Sequence, residues 1–216
     1  MLRLRAIAFA VTVALAPALA QAAPLSGATF VVDPGHGVKT PAGAPLNVGA
    51  VGPGGVQEQA VVLAVSEDLA ALLRRAGARV VLTRSTGHPY RTATDKKADN
   101  RSRAALANHL GATAFVAIHA DSSLDPKARG ISVFWLRQNS AALAVAVREA
   151  LAPLDLGLSQ FRVRHLAVTD EATVPAVLVE LGFVSNPEQE HLLATPAFQE
   201  REAKALYQAI AGVYGS

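Results

Sequence analysis

The chain has 216 residues, 51% of them hydrophobic and 17% charged, which excludes a disordered polypeptide and suits one folded domain with a proper core. Its formal charge of +3 includes Arg3 and Arg5 near the start. The remainder is close to neutral and gives no basis for nucleic-acid binding, which needs many cations set against phosphate.

The opening residues form their own class. "MLRLR" is a short cationic start, "AIAFAVTVALAPALA" an apolar run broken by Pro17, and "ALAQAA" a stretch of small residues suited to cleavage after Ala20 or Ala22. This is the pattern of a secretory signal peptide, expected over residues 1–22, with a single domain over 23–216. An uncleaved membrane anchor is disfavoured, because the run falls short of the ~20 apolar residues that span a bilayer. The mature chain is expected to be exported and soluble, without a membrane segment. It has no cysteine, so its stability must come from its core or from a bound ion.

The elements then follow in order. "GATFVVDPG" reads as a short buried strand with a hard stop at Asp-Pro-Gly-His-Gly. Residues 40–55, rich in Gly, Pro and Ala without apolar periodicity, read as a long loop of the kind that borders a site. "VQEQAVVLAVSEDLAALLRRAG" has helical spacing and closes on Gly77; "ARVVLTR" is a second strand. "DKKADNRSRAALANHLGA" is a helix opened by Asp95 or Asp99 and ended near Gly111, and "TAFVAIHAD" is a third strand. "GISVFWLR" predicts a strand, "NSAALAVAVREALAPL" a helix, "FRVRHLAVT" a strand or extended segment, and "VPAVLVELGF" a buried strand. "PEQEHLLA" and "PAFQEREAKALYQAIAGVYG" close the chain as helices. Strands that alternate with helices and are continuously apolar predict a single α/β domain, a mostly parallel sheet flanked by helices on both faces.

In such a sheet, chemistry gathers where strands give way to loops. His36 follows the first strand, His119 ends the third and Glu180 ends "VPAVLV", while Glu58 opens the first long helix beside the Gly-rich loop. Two imidazoles and a carboxylate are the ligands of many hydrolytic zinc sites, and a second carboxylate nearby can move protons. Read one at a time, the residues allow plainer roles. Glu58 could be a first-turn helix acid, Glu180 a carboxylate paired to Arg84 or Arg103, and Asp33 a group that orients the site or caps a turn. His165 is the reserve ligand, left out because Arg162 and Arg164 flank it; His88, His109 and His191 carry no argument.

The segments "VVDPGHG", "GGVQEQAVVL", "VVLTR", "RAALAN", "FVAIHAD" and "VPAVLVELGFVSN", in this order, resemble the zinc-dependent N-acetylmuramoyl-L-alanine amidases of the amidase 3 type. The resemblance runs from about Thr29 to the end. It implies one Zn2+ per chain held by His36, Glu58 and His119, with Glu180 as the catalytic carboxylate. It further implies hydrolysis of the amide between N-acetylmuramic acid and L-alanine, with peptidoglycan or muropeptides as partner and a periplasmic or wall-associated place of work. Arg84 and Arg103 match family arginines and are expected in buried structural pairs; Asn186 is expected to pin the turn after the Glu180 strand. A protein activator is allowed for but not indicated. The competing readings are a zinc peptidase of stem peptides and a non-catalytic peptidoglycan-binding scaffold. Scaffolds of that kind lose a ligand or the acid, and this chain retains all four.

Overall fold

The computed structural model describes residues 25–215; the expected leader, residues 1–22, lies outside them. In chain order the elements are β1 (Thr29–Pro34), β2 (Val38–Lys39), β3 (Pro45–Asn47), α1 (Glu58–Arg75), β4 (Arg79–Leu82), β5 (Arg91–Thr92), α2 (Lys96–His109), β6 (Ala114–Asp121), β7 (Ile131–Trp135), α3 (Ala141–Leu151), β8 (Leu158–Val163), α4 (Ala167–Asp170), β9 (Ala176–Phe183), α5 (Pro187–Leu193) and α6 (Pro196–Tyr214). Six strands form the central sheet in the order β4-β1-β6-β9-β7-β8. Every neighbouring pair is parallel except β7 and β9, so the expected mostly parallel α/β domain is what forms. The one reversal has a local cause: only residues 122–130 separate β6 from β7, too few for the helical crossover that a parallel return needs.

Alternation along the strands sends side chains to two layers. Phe30, Val32, Val116, Ile118, Val133, Val177 and Val179 meet α1, α3 and α6 on one face. Val31, Phe115, Ala117, Phe134 and Leu178 meet α2 and α4 on the other. Helix ends follow the sequence signals. α1 stops at Gly77 (φ 90°), whose N–H donates to Arg74 O while Ala78 N–H donates to Leu73 O. Asp95, not Asp99, caps α2 by accepting from Ala98 N–H. Asn186 caps α5 by accepting from Glu188 and Gln189 N–H, in line with its expected role in that turn.

The Gly-rich stretch is not wholly loop. β3 pairs with β2, and β2 with β5, in a small separate sheet beside the carboxyl end of β1. Strands of two or three residues have no period to read, which is why the sequence pattern passes over them. The following turn, residues 50–56, is clamped by α5: the Glu190 carboxylate accepts from Gly54 and Val56 N–H at 2.8–3.0 Å.

Asp99 joins a buried ionic cluster that ties α2 to the end of β1. Arg103 Nη1 lies 2.6 Å from Asp33 Oδ1 and Arg103 Nε 2.6 Å from Asp99 Oδ2, with Arg91 2.8 Å from the other Asp99 oxygen. Burial opposes the charge on Asp33, but Arg103 and the Thr83 hydroxyl outweigh it and hold that carboxyl below its usual range. The expected structural pairing of Arg103 is present. Arg84 is buried too, but its partners are the carbonyls of Pro34, Gly35 and Gln59, not a carboxylate. Replacing Arg103 by Met leaves the buried Asp33 carboxylate without its cation and Asp99 with Arg91 alone. We expect a loss of about 3–5 kcal/mol, read as a lowered urea midpoint, whereas an unchanged midpoint would contradict the pairing.

Candidate active site

The hard stop after β1 aims one imidazole. His36 sits in the left-handed region (φ 63°) and Gly37 follows it there (φ 67°), so the backbone doubles back and presents the His36 ring along the sheet edge. Gly35 allows this close approach: a Cβ at that position would overlap the His119 ring. His36 Nδ1 lies 2.8 Å from Asn47 Oδ1. A carbonyl oxygen only accepts, so Nδ1 carries the proton and Nε2 presents its lone pair.

Three donors converge on one point. His36 Nε2 is 2.9 Å from Glu58 Oε1, His119 Nδ1 is 3.2 Å from the same oxygen, and the two ring nitrogens are 3.1 Å apart. Among the described residues this is the one group of three or more His, Cys, Asp or Glu side chains placed to hold a metal ion. Ligands about 2.05 Å from a tetrahedral zinc stand about 3.3 Å from one another, close to the separations seen here. The donor chemistry fits as well, with two neutral imidazoles and one carboxylate. Glu58 is buried at the head of α1, with Oε2 accepting from Ala50 N–H at 2.9 Å and Oε1 from Ala120 N–H at 3.1 Å. Burial alone would raise its pKa; the close approach of the His119 and His36 rings overcomes that and holds the carboxyl far below the carboxylate range. Gly49 (φ 76°) is required here too, since a Cβ would lie 2.7 Å from Glu58 Oε2 and 2.9 Å from the His36 ring.

Glu180 stands beside this trio in a contrasting environment. It is the cross-strand partner of His119 on β9, and its Oε2 is buried without a hydrogen-bond partner among the described residues. Burial, then the negative charges of Glu58 and Asp121, push its pKa well above the carboxylate range, with only Arg164 pulling the other way. Neither Arg84 nor Arg103 pairs with it, so the strand-end salt bridge weighed from the sequence does not form. His36, Asn47, His119, Leu166, Val168 and Glu180 line a cavity of about 180 Å³. A second opening of about 340 Å³ shares His36 and Asn47 with it and is also lined by Lys96. The larger groove between α1 and α6 lies on the opposite face of the sheet, away from these donors.

The structure therefore brings together His36, Glu58, His119 and Glu180. Asp33 sits behind them in the Arg103 cluster, and His165 is exposed beside Asp170 and stays out of the trio. Asn47 is the participant that the sequence reading missed. Its signal was faint: it is the single polar side chain between Thr40 and Gln57.

The family described as N-acetylmuramoyl-L-alanine amidase matches residues 30–212. The chain is 32% identical to N-acetylmuramoyl-L-alanine amidase AmiA of Salmonella typhimurium, covering 83% of this chain and 74% of that one. It is 31% identical to the germination-specific N-acetylmuramoyl-L-alanine amidase of Bacillus subtilis, covering 87% and 80%. Among solved structures, N-acetylmuramoyl-L-alanine amidase AmiC2 of Nostoc punctiforme superposes with a TM-score of 0.75 at 30% identity, over 87% of this chain and 98% of its own.

Because Asn47 sets the His36 tautomer, Asn47→Ala should lower zinc affinity about 10–100-fold in competition against a chelator. Unaltered affinity would mean that the Nδ1 contact does not orient the ring.

Proposed function

The chain belongs to the N-acetylmuramoyl-L-alanine amidase family, and from that membership we propose a zinc-dependent mechanism with named residue roles. As an enzyme of this family it cleaves peptidoglycan at the amide between N-acetylmuramic acid and L-alanine. The observation that carries the finer reading is the convergence of His36 Nε2, His119 Nδ1 and Glu58 Oε1 beside a carboxyl group of opposite character.

In this reading His36, Glu58 and His119 hold one Zn2+, which supplies Lewis acidity toward the scissile carbonyl and makes water acidic enough to attack near neutral pH. Glu58, whose carboxylate accepts from Ala50 and Ala120 N–H, is the anionic ligand. Asn47 keeps His36 in the tautomer whose Nε2 can bind. Glu180 takes the proton of the attacking water on its carboxylate and returns it to the alanine nitrogen as the carbon–nitrogen bond breaks. Its surroundings suit that exchange: burial favours the protonated form of this carboxyl, and no arginine hydrogen-bonds it into the ionised state. The two cavities that share His36 and Asn47 give the glycan and peptide arms of the substrate room beside the trio.

The same reading places residues 1–22 as an export signal and 23–216 as the catalytic domain, working in the periplasm or at the wall on intact murein or soluble muropeptides. No helix among the described residues is long and apolar enough to cross a membrane.

Glu180→Gln should bind zinc like the parent and lose turnover about 10²–10⁴-fold on isolated sacculi. The parent should release peptides that begin with L-alanine. Parent-like turnover in the variant would remove Glu180 from the mechanism, and products cut within the stem peptide would replace the amidase with a peptidase.

A further inference from the structure

Ser132 stands directly opposite Glu180 across the antiparallel β7–β9 ladder. Residues so paired send their side chains to the same face of the sheet, with Cβ atoms about 4.5–5.5 Å apart. The next pair on the same face, Phe134 and Leu178, shows which face this is, since both lie in the apolar cluster under α2 and α4. Ser132 is 0% exposed, and its Oγ has no hydrogen-bond partner among the described residues. On the facing residue, Glu180 Oε2 is likewise buried and unpartnered. Buried polar groups are rarely left so, and a serine hydroxyl reorients by a single χ1 rotation.

We propose that Ser132 is a positioning residue for the hydrolysis, its hydroxyl holding Glu180 Oε2 so that the other carboxyl oxygen faces the cavity. The proposal rests on the reading of Glu180 as the proton-carrying carboxylate. A hydroxyl suits that task because it both donates and accepts. It donates to the carboxylate before water attacks, and it accepts from the carboxylic acid while the proton is in transit. Ser132 keeps its own proton throughout, so the traffic between water, Glu180 and the leaving nitrogen is balanced without it. An arginine or lysine in its place could only donate and would favour the ionised form. The other polar groups near Glu180 do not supply this contact: Arg103 is committed to Asp33, Asp99 and backbone carbonyls, Asn47 to His36, and Arg164 lies over the Phe134 ring without a hydrogen bond to Glu180 Oε2.

The test compares Ser132→Ala, Ser132→Thr and Glu180→Gln with the parent, as zinc-loaded full chains on a soluble muropeptide, with zinc content and thermal midpoint measured alongside. We expect Ser132→Ala to lose about ten- to a hundredfold in kcat with KM within twofold, at parent zinc content and an unchanged or higher midpoint. Ser132→Thr, which keeps the hydroxyl, should recover most of that loss. A hydroxyl with a merely structural role would leave kcat where it was. The proposal is overturned if Ser132→Ala turns over within twofold of the parent, if only KM or zinc content changes, or if the Ala and Thr variants are impaired alike. If Glu180→Gln itself keeps parent turnover, the assignment of Glu180 fails; if it is inactive while Ser132→Ala is not impaired, the serine proposal alone fails.

Discussion

The carbonyl groups of a single turn carry the architecture of this site. Where β1 ends, Pro34, Gly35 and His36 point their carbonyl oxygens inward, and two buried guanidinium groups accept the task of pairing them. Arg84 donates to Pro34 O and Gly35 O, and Arg103 donates to Pro34 O and His36 O. Consecutive left-handed residues are costly for any side chain but glycine, and His36 is held there only because its surroundings fix it. From that constraint the rest follows. The His36 ring meets Asn47 on one nitrogen and Glu58 on the other, and the bare Cα of Gly35 leaves space for His119 to complete the trio.

The same two arginines keep cations out of the chemistry. Arg103 spends its remaining contacts on Asp33 and Asp99, so the buried positive charge is neutralised one layer behind the donors. Glu58 and Glu180 are thereby left without a guanidinium at hydrogen-bond distance. Two carboxyl groups a few residues' width apart then part company. Imidazole contacts drive one toward permanent ionisation, while burial and like charge drive the other toward holding a proton. The proposed mechanism uses that division, with Glu58 as the anionic ligand and Glu180 as the proton carrier.

Much of this was legible in the order of residues because the relevant signals are local. The apolar runs of β1, β6 and β9 end at His36, His119 and Glu180, and strand carboxyl ends are where an α/β sheet exposes its chemistry. Gly77 and Asn186 announce helix boundaries through backbone needs that few other residues meet. What stayed hidden depends on partners distant along the chain. The choice of Asp95 over Asp99 as the α2 cap is decided by Arg91 and Arg103, which claim Asp99 for the interior. Asn47 has no neighbour in sequence to mark it, because its meaning comes from the small β2–β3–β5 sheet that folds it back over His36. The direction of β7, and with it the pairing of Ser132 to Glu180, is set by a short connection whose composition says nothing about which strand it will join.

The account rests on three side chains sharing one cation. Zinc-edge X-ray absorption of the loaded chain measures that directly. It should show a low-coordinate shell of nitrogen and oxygen with two imidazole contributions, one of which disappears in His119→Ala. A shell without imidazole, or one that survives the loss of His119 unchanged, would contradict it.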